Sequence, residues 1–198
     1  MEIGGYFGLE RFSGEEYHGA LIPVNNARSA LLYLLKARRI QKLYIPRFLC
    51  DSVSNLCHRE GYDYAYYPIG EDFLPRFTGE LGMGEYLYVV NYYGQLTDDQ
   101  ILGLKEKYDR IIVDHVQDFF RKPLAGVDMV YSCRKFFGVP DGGYVATDVR
   151  LEEELQTDES RDRMRHILGR FEDSASPYYA DFKANDQSFS TTPLRYMS

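Results

Sequence analysis

Tryptophan is absent from this chain, and cysteine occurs only at Cys50, Cys57 and Cys133. Three thiols with no Cys-x-x-Cys pair support neither a disulfide framework nor a structural zinc site. Cys57 is followed by His58, but no further ligands stand at metal-binding spacing, so no metal is expected. Positive charge is also in deficit: 23 Lys and Arg face 30 Asp and Glu, for a net charge of −7. A nucleic-acid surface needs clustered cations to neutralise phosphates, and this balance does not supply them. The local basic spots at 36–39 and 161–165 read as solvated helix faces beside acids. There is no apolar run of about eighteen residues and no basic-then-apolar amino terminus, so no membrane partner is expected and the expected location is cytoplasmic. Internal repeats and low-complexity tracts are missing as well.

What is present is an ordinary globular composition over 198 residues, 44% hydrophobic and 27% charged. Large aromatic burial falls chiefly on tyrosine, which occurs 18 times, in part as the pairs Tyr66-Tyr67, Tyr92-Tyr93 and Tyr178-Tyr179. After a glycine-rich arm over residues 1–17, the chain alternates elements. Leu21–Val24 leads into a helix with apolar positions at Ala27, Ala30, Leu31, Leu34 and Leu35. A strand is expected at Lys42–Pro46, a helix at Cys50–Arg59 and strands at Asp63–Pro68 and Tyr86–Asn91. Thr97 and Gln100 then form a capping box for a helix carrying Ile101, Leu104 and Tyr108. Strands at Ile111–Val113, Val127–Tyr131 and Tyr144–Thr147 follow. This rhythm predicts an α/β fold, a three-layer α/β/α sandwich on a mostly parallel sheet of about seven strands. Residues 150–172 are strongly charged and carry one apolar helical stripe of Met164, Ile167, Leu168 and Phe171.

Chemistry concentrates where strands end. The run Ile111–Val113 stops on Asp114, with His115 and Gln117 beside it, and the next strand delivers Ser132, Arg134 and Lys135 to the same rim. In open α/β sheets the crevice outside the strand carboxyl ends is where ligands bind. Gly142 and Gly143 allow a turn and a close backbone approach. At the first helix an Asn cap, free N–H groups, Arg28 and Ser29 make a candidate anion site. An amine, an acid and anion donors on adjacent strand ends suit pyridoxal phosphate, which needs a lysine for a Schiff base, a counter-charge for its ring nitrogen and donors for its phosphate.

The spacing Asp114-x-x-Gln117, Ser132-x-x-Lys135, Gly142-Gly143 resembles the motifs of the fold-type-I pyridoxal-phosphate enzymes, nearest to the DegT/DnrJ/StrS sugar aminotransferases. The segment from Asn25 to Leu31 resembles their phosphate-binding turn, with Ala27 where the family has Gly. The resemblance covers roughly residues 20–147 and implies a set of roles. Lys135 is the catalytic Schiff-base lysine, Asp114 pairs with the ring nitrogen, and Gln117 bonds the phenolic side of the ring. Ala27, Arg28 and Ser132 hold the phosphate of pyridoxal 5'-phosphate, and either Phe48 or Cys50 contacts the ring. Relatives that dehydrate sugars have histidine in place of this lysine, so Lys135 points to amino transfer from a glutamate-like amino-acid donor to a keto-sugar acceptor. The resemblance also implies a homodimer, and a large domain over 18–149 with a helical extension over 150–198 in place of the family's smaller domain. The alternative is a non-catalytic protein of the same fold serving as a partner or regulatory subunit.

Overall fold

Short β-branched runs alternating with amphipathic segments become seven strands and five α-helices in the computed structural model, which describes residues 13–198. Most of the arm expected over 1–17 therefore lies outside the described residues. In chain order the elements are β1 (Ile22–Val24), α1 (Ala27–Ala37), β2 (Lys42–Pro46), α2 (Asp51–Glu60), β3 (Asp63–Tyr67), β4 (Glu85–Val90), α3 (Asp98–Tyr108), β5 (Ile111–Asp114), β6 (Asp128–Ser132), β7 (Gly143–Ala146), α4 (Arg165–Glu172) and α5 (Tyr179–Ser188). The strands form one sheet in the order β1-β7-β6-β5-β4-β2-β3. Strand β7 runs antiparallel to both its neighbours, and every other pairing is parallel. Among the described residues no helix is long and apolar enough to cross a membrane.

The central strands read as continuous apolar runs because both faces are covered. On one face Val24, Leu43, Ile45, Tyr88, Ile112, Val130 and Val145 pack with α1 and α2. On the other, Leu87, Val89, Ile111, Val113, Met129 and Tyr131 pack with Ile101 and Tyr108 of α3. Successive strand residues point to opposite faces, so each strand feeds both cores. The predicted capping box of α3 is present, with Gln100 N–H donating to Thr97 Oγ1 at 3.2 Å and Thr97 N–H donating to Gln100 Oε1 at 2.9 Å. Asn26 caps α1 by accepting from Ser29 N–H at 3.0 Å.

Helix α1 is buried more widely than its apolar stripe predicts, with Leu32 and Tyr33 also inaccessible. The reason is the carboxy-terminal segment, whose Leu151, Leu155, Leu194 and Tyr196 pack against this core. Residues 150–160 are not helical. The rest of the charged stretch forms a 3-10 turn, Arg161–Arg163, and the eight-residue α4, and Leu168 and Phe171 of its stripe face solvent. The basic spot at 36–39 also departs from a solvated face. Arg38 binds the buried Asp128 with two bonds, Nε to Oδ2 at 2.9 Å and Nη2 to Oδ1 at 2.8 Å, and Thr147 Oγ1 donates to the same carboxylate at 2.7 Å. A bidentate guanidinium is what lets a carboxylate start a buried strand without its charge standing uncompensated.

Candidate active-site rim

Strand register decides which side chains meet. Asp114 pairs with Val90 on one side and Val130 on the other. Gly143 lies between Ser132 and Val24, so the end of β6 and the turn after β1 sit on adjacent tracks. The glycine pair makes this possible. A Cβ on Gly143 would stand 2.8 Å from Asn26 C and 2.8 Å from Tyr131 O, both backbone atoms. Gly142 has φ +111°, a conformation other residues rarely adopt. The sheet is therefore pressed directly against the amino terminus of α1.

Asp114 is buried, and its carboxylate is held at both oxygens. Tyr88 Oη donates to Oδ2 at 2.7 Å, and Val116 N–H donates to Oδ1 at 2.7 Å. Burial raises the carboxyl pKa above its ordinary value, while Tyr88, Val116 N–H and the Lys135 ammonium pull the other way. A further cation placed beside this carboxylate would lower its pKa. Tyr88 went unassigned at the sequence level because its meeting with Asp114 depends on the pairing of β4 with β5, which no local pattern reveals.

Lys135 is exposed at the end of a 3-10 turn, Cys133–Lys135, that continues β6, and Ser132 is buried at the strand's last position. Gln117 is exposed and its Oε1 accepts from Tyr93 N–H at 2.9 Å. Ala27 and Arg28 open α1 and are partly accessible. Cys50 is exposed immediately before α2, its Sγ 2.9 Å from Ser52 Oγ, while the Phe48 ring lies 5.4 Å from that of Tyr92. Asp114 at the end of β5 and Lys135 in the turn after β6 stand on adjacent strand ends. Arg28 and Arg134 share one anion, the Asp186 carboxylate of α5, at 3.7 Å and 3.1 Å. Asp186 carried no signal in the sequence, because the tail it belongs to shows no clear period.

His115 does not lie on the rim, contrary to the expectation from its place beside Asp114. Pairing continues one residue past β5, with His115 N–H donating to Val130 O at 2.8 Å, and alternation turns the ring to the opposite face. There it is fully buried, 5.3 Å from the Tyr131 ring in a stack, with Nδ1 3.2 Å from Asn91 Nδ2. Nε2 has no partner among the described residues. Burial lowers the His115 pKa to about 4, against a partial opposing pull from Asp118.

This shift makes stability pH-dependent. A histidine whose folded pKa is depressed stays neutral in the fold, so its stabilisation is complete above the unfolded value of about 6.5 and is lost as pH falls towards 4. Its loss should reach about 3 kcal/mol at the bottom of that window. The lowered pKa of His18 acts in the same sense, and the raised pKa values of Asp114 and Asp141 act in the opposite one. The measurement is therefore a difference. Urea unfolding at pH 7.5 and 4.5 should show a smaller acid loss in His115→Asn than in the parent, and equal losses would remove His115 as the cause.

No protein-family model matches this sequence, and no curated protein matches it. Solved structures do match. NtdA from Bacillus subtilis, solved with bound cofactor PMP, aligns with a TM-score of 0.53 at 17% identity, over 65% of this chain and 33% of that one. The sugar aminotransferase CalS13 from Micromonospora echinospora aligns with a TM-score of 0.50 at 15% identity, over 64% of this chain and 41% of that one. AtS13 from Actinomadura melliaura gives 0.50 at 15%, over 65% and 41%. This chain thus spans well under half the length of these proteins. It shares with these three structures an α/β fold on a mostly parallel seven-stranded sheet, the architecture expected from the sequence.

Proposed function

We propose that this chain is a pyridoxal-phosphate-dependent aminotransferase domain that moves an amino group from a glutamate-like amino acid to a keto-sugar. One observation carries the reading: the buried carboxylate of Asp114 ends β5, and the accessible Lys135 stands in the turn that continues the adjacent β6, on a rim where α1 also presents its amino terminus and Arg28. The donor set fits the cofactor, since it offers an amine, a counter-charge for a ring nitrogen and an anion site. When bound, pyridoxal phosphate supplies an electron sink for the substrate's α-carbon.

Lys135 is the residue that would hold the cofactor's aldehyde end through Nζ and would move a proton at the substrate carbon. A guanidinium stays protonated, so the adjacent Arg134 is unable to replace it. Asp114 keeps a proton on the ring nitrogen through its negative charge. Arg28, Ser132 and the N–H groups of the α1 turn at Ala27 hold the phosphate. Gln117 orients the ring from its phenolic side, and Cys50 or Phe48 bounds it. Two copies of the chain form the working unit in this reading.

The exposure of Lys135 and the Asp186 carboxylate on the two arginines favour a second reading, a non-catalytic partner subunit of the same fold. Incubation with pyridoxal phosphate, reduction with borohydride and peptide mapping separate the two. A single labelled peptide containing Lys135, lost in Lys135→Arg, is the expected result. Label on a different lysine, or none, overturns the assignment.

A further inference from the structure

The strongest unassigned feature is the carboxylate that α5 inserts between two arginines at the rim. Asp186 Oδ1 lies 3.1 Å from Arg134 Nη1 and 3.7 Å from Arg28 Nη2. The two guanidinium side chains are only 14% and 22% exposed, while the Asp186 side chain is 43% exposed. Burial, Arg134 and Arg59 all disfavour the Arg28 cation, and Asp186 is the main group that supports it. Two cations thus share one monovalent anion and one of its oxygens. The excess positive charge is increased by α1, whose first turn contains no acidic residue of its own and whose first N–H groups have no intrahelical partner.

The carboxylate is held in place by packing on either side of it. Asn185 Nδ2 donates to Pro140 O at 2.9 Å, and Phe189 is buried with the Arg134 guanidinium 4.6 Å over its ring. A released Asp186 side chain would become hydrated at little cost, because it is already partly exposed. A phosphate has more charge and three terminal oxygens, enough to engage both guanidiniums and the α1 turn together.

We propose that Asp186 is a built-in competitor for the anion held by Arg28 and Arg134, so that a phosphate-bearing ligand binds only by displacing it. The inference rests on the reading that places the cofactor's phosphate at the α1 turn. Asp186 then sets the affinity of the phosphate end of the site, and Arg134 belongs to that end together with Arg28. Loading responds to whatever moves α5.

The test is calorimetric titration, at fixed ionic strength, of the parent, Asp186→Asn and Asp186→Ser with inorganic phosphate, pyridoxal phosphate and pyridoxal. Two substitutions at this partly exposed position guard against one that folds poorly. Both should bind phosphate and pyridoxal phosphate about tenfold more tightly than the parent, with pyridoxal unchanged. Adding Arg28→Gln should abolish the gain. Unchanged or weaker phosphate binding in both variants overturns the competitor role. Failure of the two ideas is separable: tighter phosphate binding without any label on Lys135 keeps the competitor and removes the cofactor reading. Label on Lys135 with phosphate affinity equal in all variants keeps the cofactor reading and removes the competitor.

Discussion

Asp114→Asn should slow the half-reaction with an amino-acid donor by about a thousandfold, roughly 4 kcal/mol in barrier height, without costing the fold. The amide is nearly isosteric with the carboxylate. Its oxygen can still accept from Val116 N–H, and its Nδ2 can donate to Tyr88 Oη, the two partners that hold Asp114 now. What disappears is the negative charge that would keep a ring nitrogen protonated. The sign of the stability change supplies an independent check. Burial raises the folded pKa of Asp114, so its contribution to stability is full at low pH and declines as pH rises through that raised value. At neutral pH the ionised side chain is a cost to the unliganded fold, and the Asn variant should melt no lower than the parent. Thermal melting together with the rate of conversion of bound cofactor to its amino form by glutamate checks both parts. An unimpaired rate would remove the counter-charge role, and a large loss of stability would show that Asp114 serves chiefly to hold the strand ends.

Gly143→Val should be the most damaging single substitution at the rim for stability. The added Cβ would meet Asn26 C at 2.8 Å, Tyr131 O at 2.8 Å and Ala27 N at 3.1 Å. All three are backbone atoms of paired or helical segments, so no side chain can swing away to make room. Overpacking of this kind costs about 3 kcal/mol or more. Relief can come only by separating β7 from α1, which would spoil the anion turn as well as the sheet. Gly103 in α3 makes a clean contrast, since a Cβ there meets nothing within 4 Å. Gly103→Ala should gain about 0.5–1 kcal/mol through helix propensity. Urea midpoints of the two variants should move in opposite directions, and a Gly143→Val protein as stable as the parent would show that the close approach is not required.

Much of this architecture was legible because its signals are local. The capping box at Thr97 and Gln100, the Asn cap of α1 and the apolar runs of β4 and β5 are each set by neighbours a few residues away. What escaped depends on partners far along the chain. Strand β6 begins on Asp128, an acid at a buried position, because Arg38 and Thr147 bind it from other elements. His115 faces the core because pairing with Val130 extends the strand by one residue, and alternation then turns its ring to the face opposite Asp114. The motif residues of the rim could be placed on strand ends in order. The donors that surround them, Tyr88 from β4 and Asp186 from α5, depend on register and tertiary packing.

The arrangement of the first strand has a consequence for how the chain acquires its structure. β1 sits at one edge of the sheet and its strand partner is β7, with Ile22 against Val145. The turn that follows is closed by residues later still: Asn25 Nδ2 donates to Pro193 O, 168 positions away, and Asn25 N–H donates to Arg195 O at 3.0 Å. During synthesis at about 5–20 residues per second, the amino-terminal strand waits roughly ten to thirty seconds for these contacts. The strands β2 to β6 can pair among themselves in that interval, whereas β1 and the anion turn it leads into remain open edges. High contact order of this kind slows folding and exposes an unpaired strand. The rim would then be among the last regions to form, once residues 193–195 have been made, and among the first to open when those residues let go of Asn25.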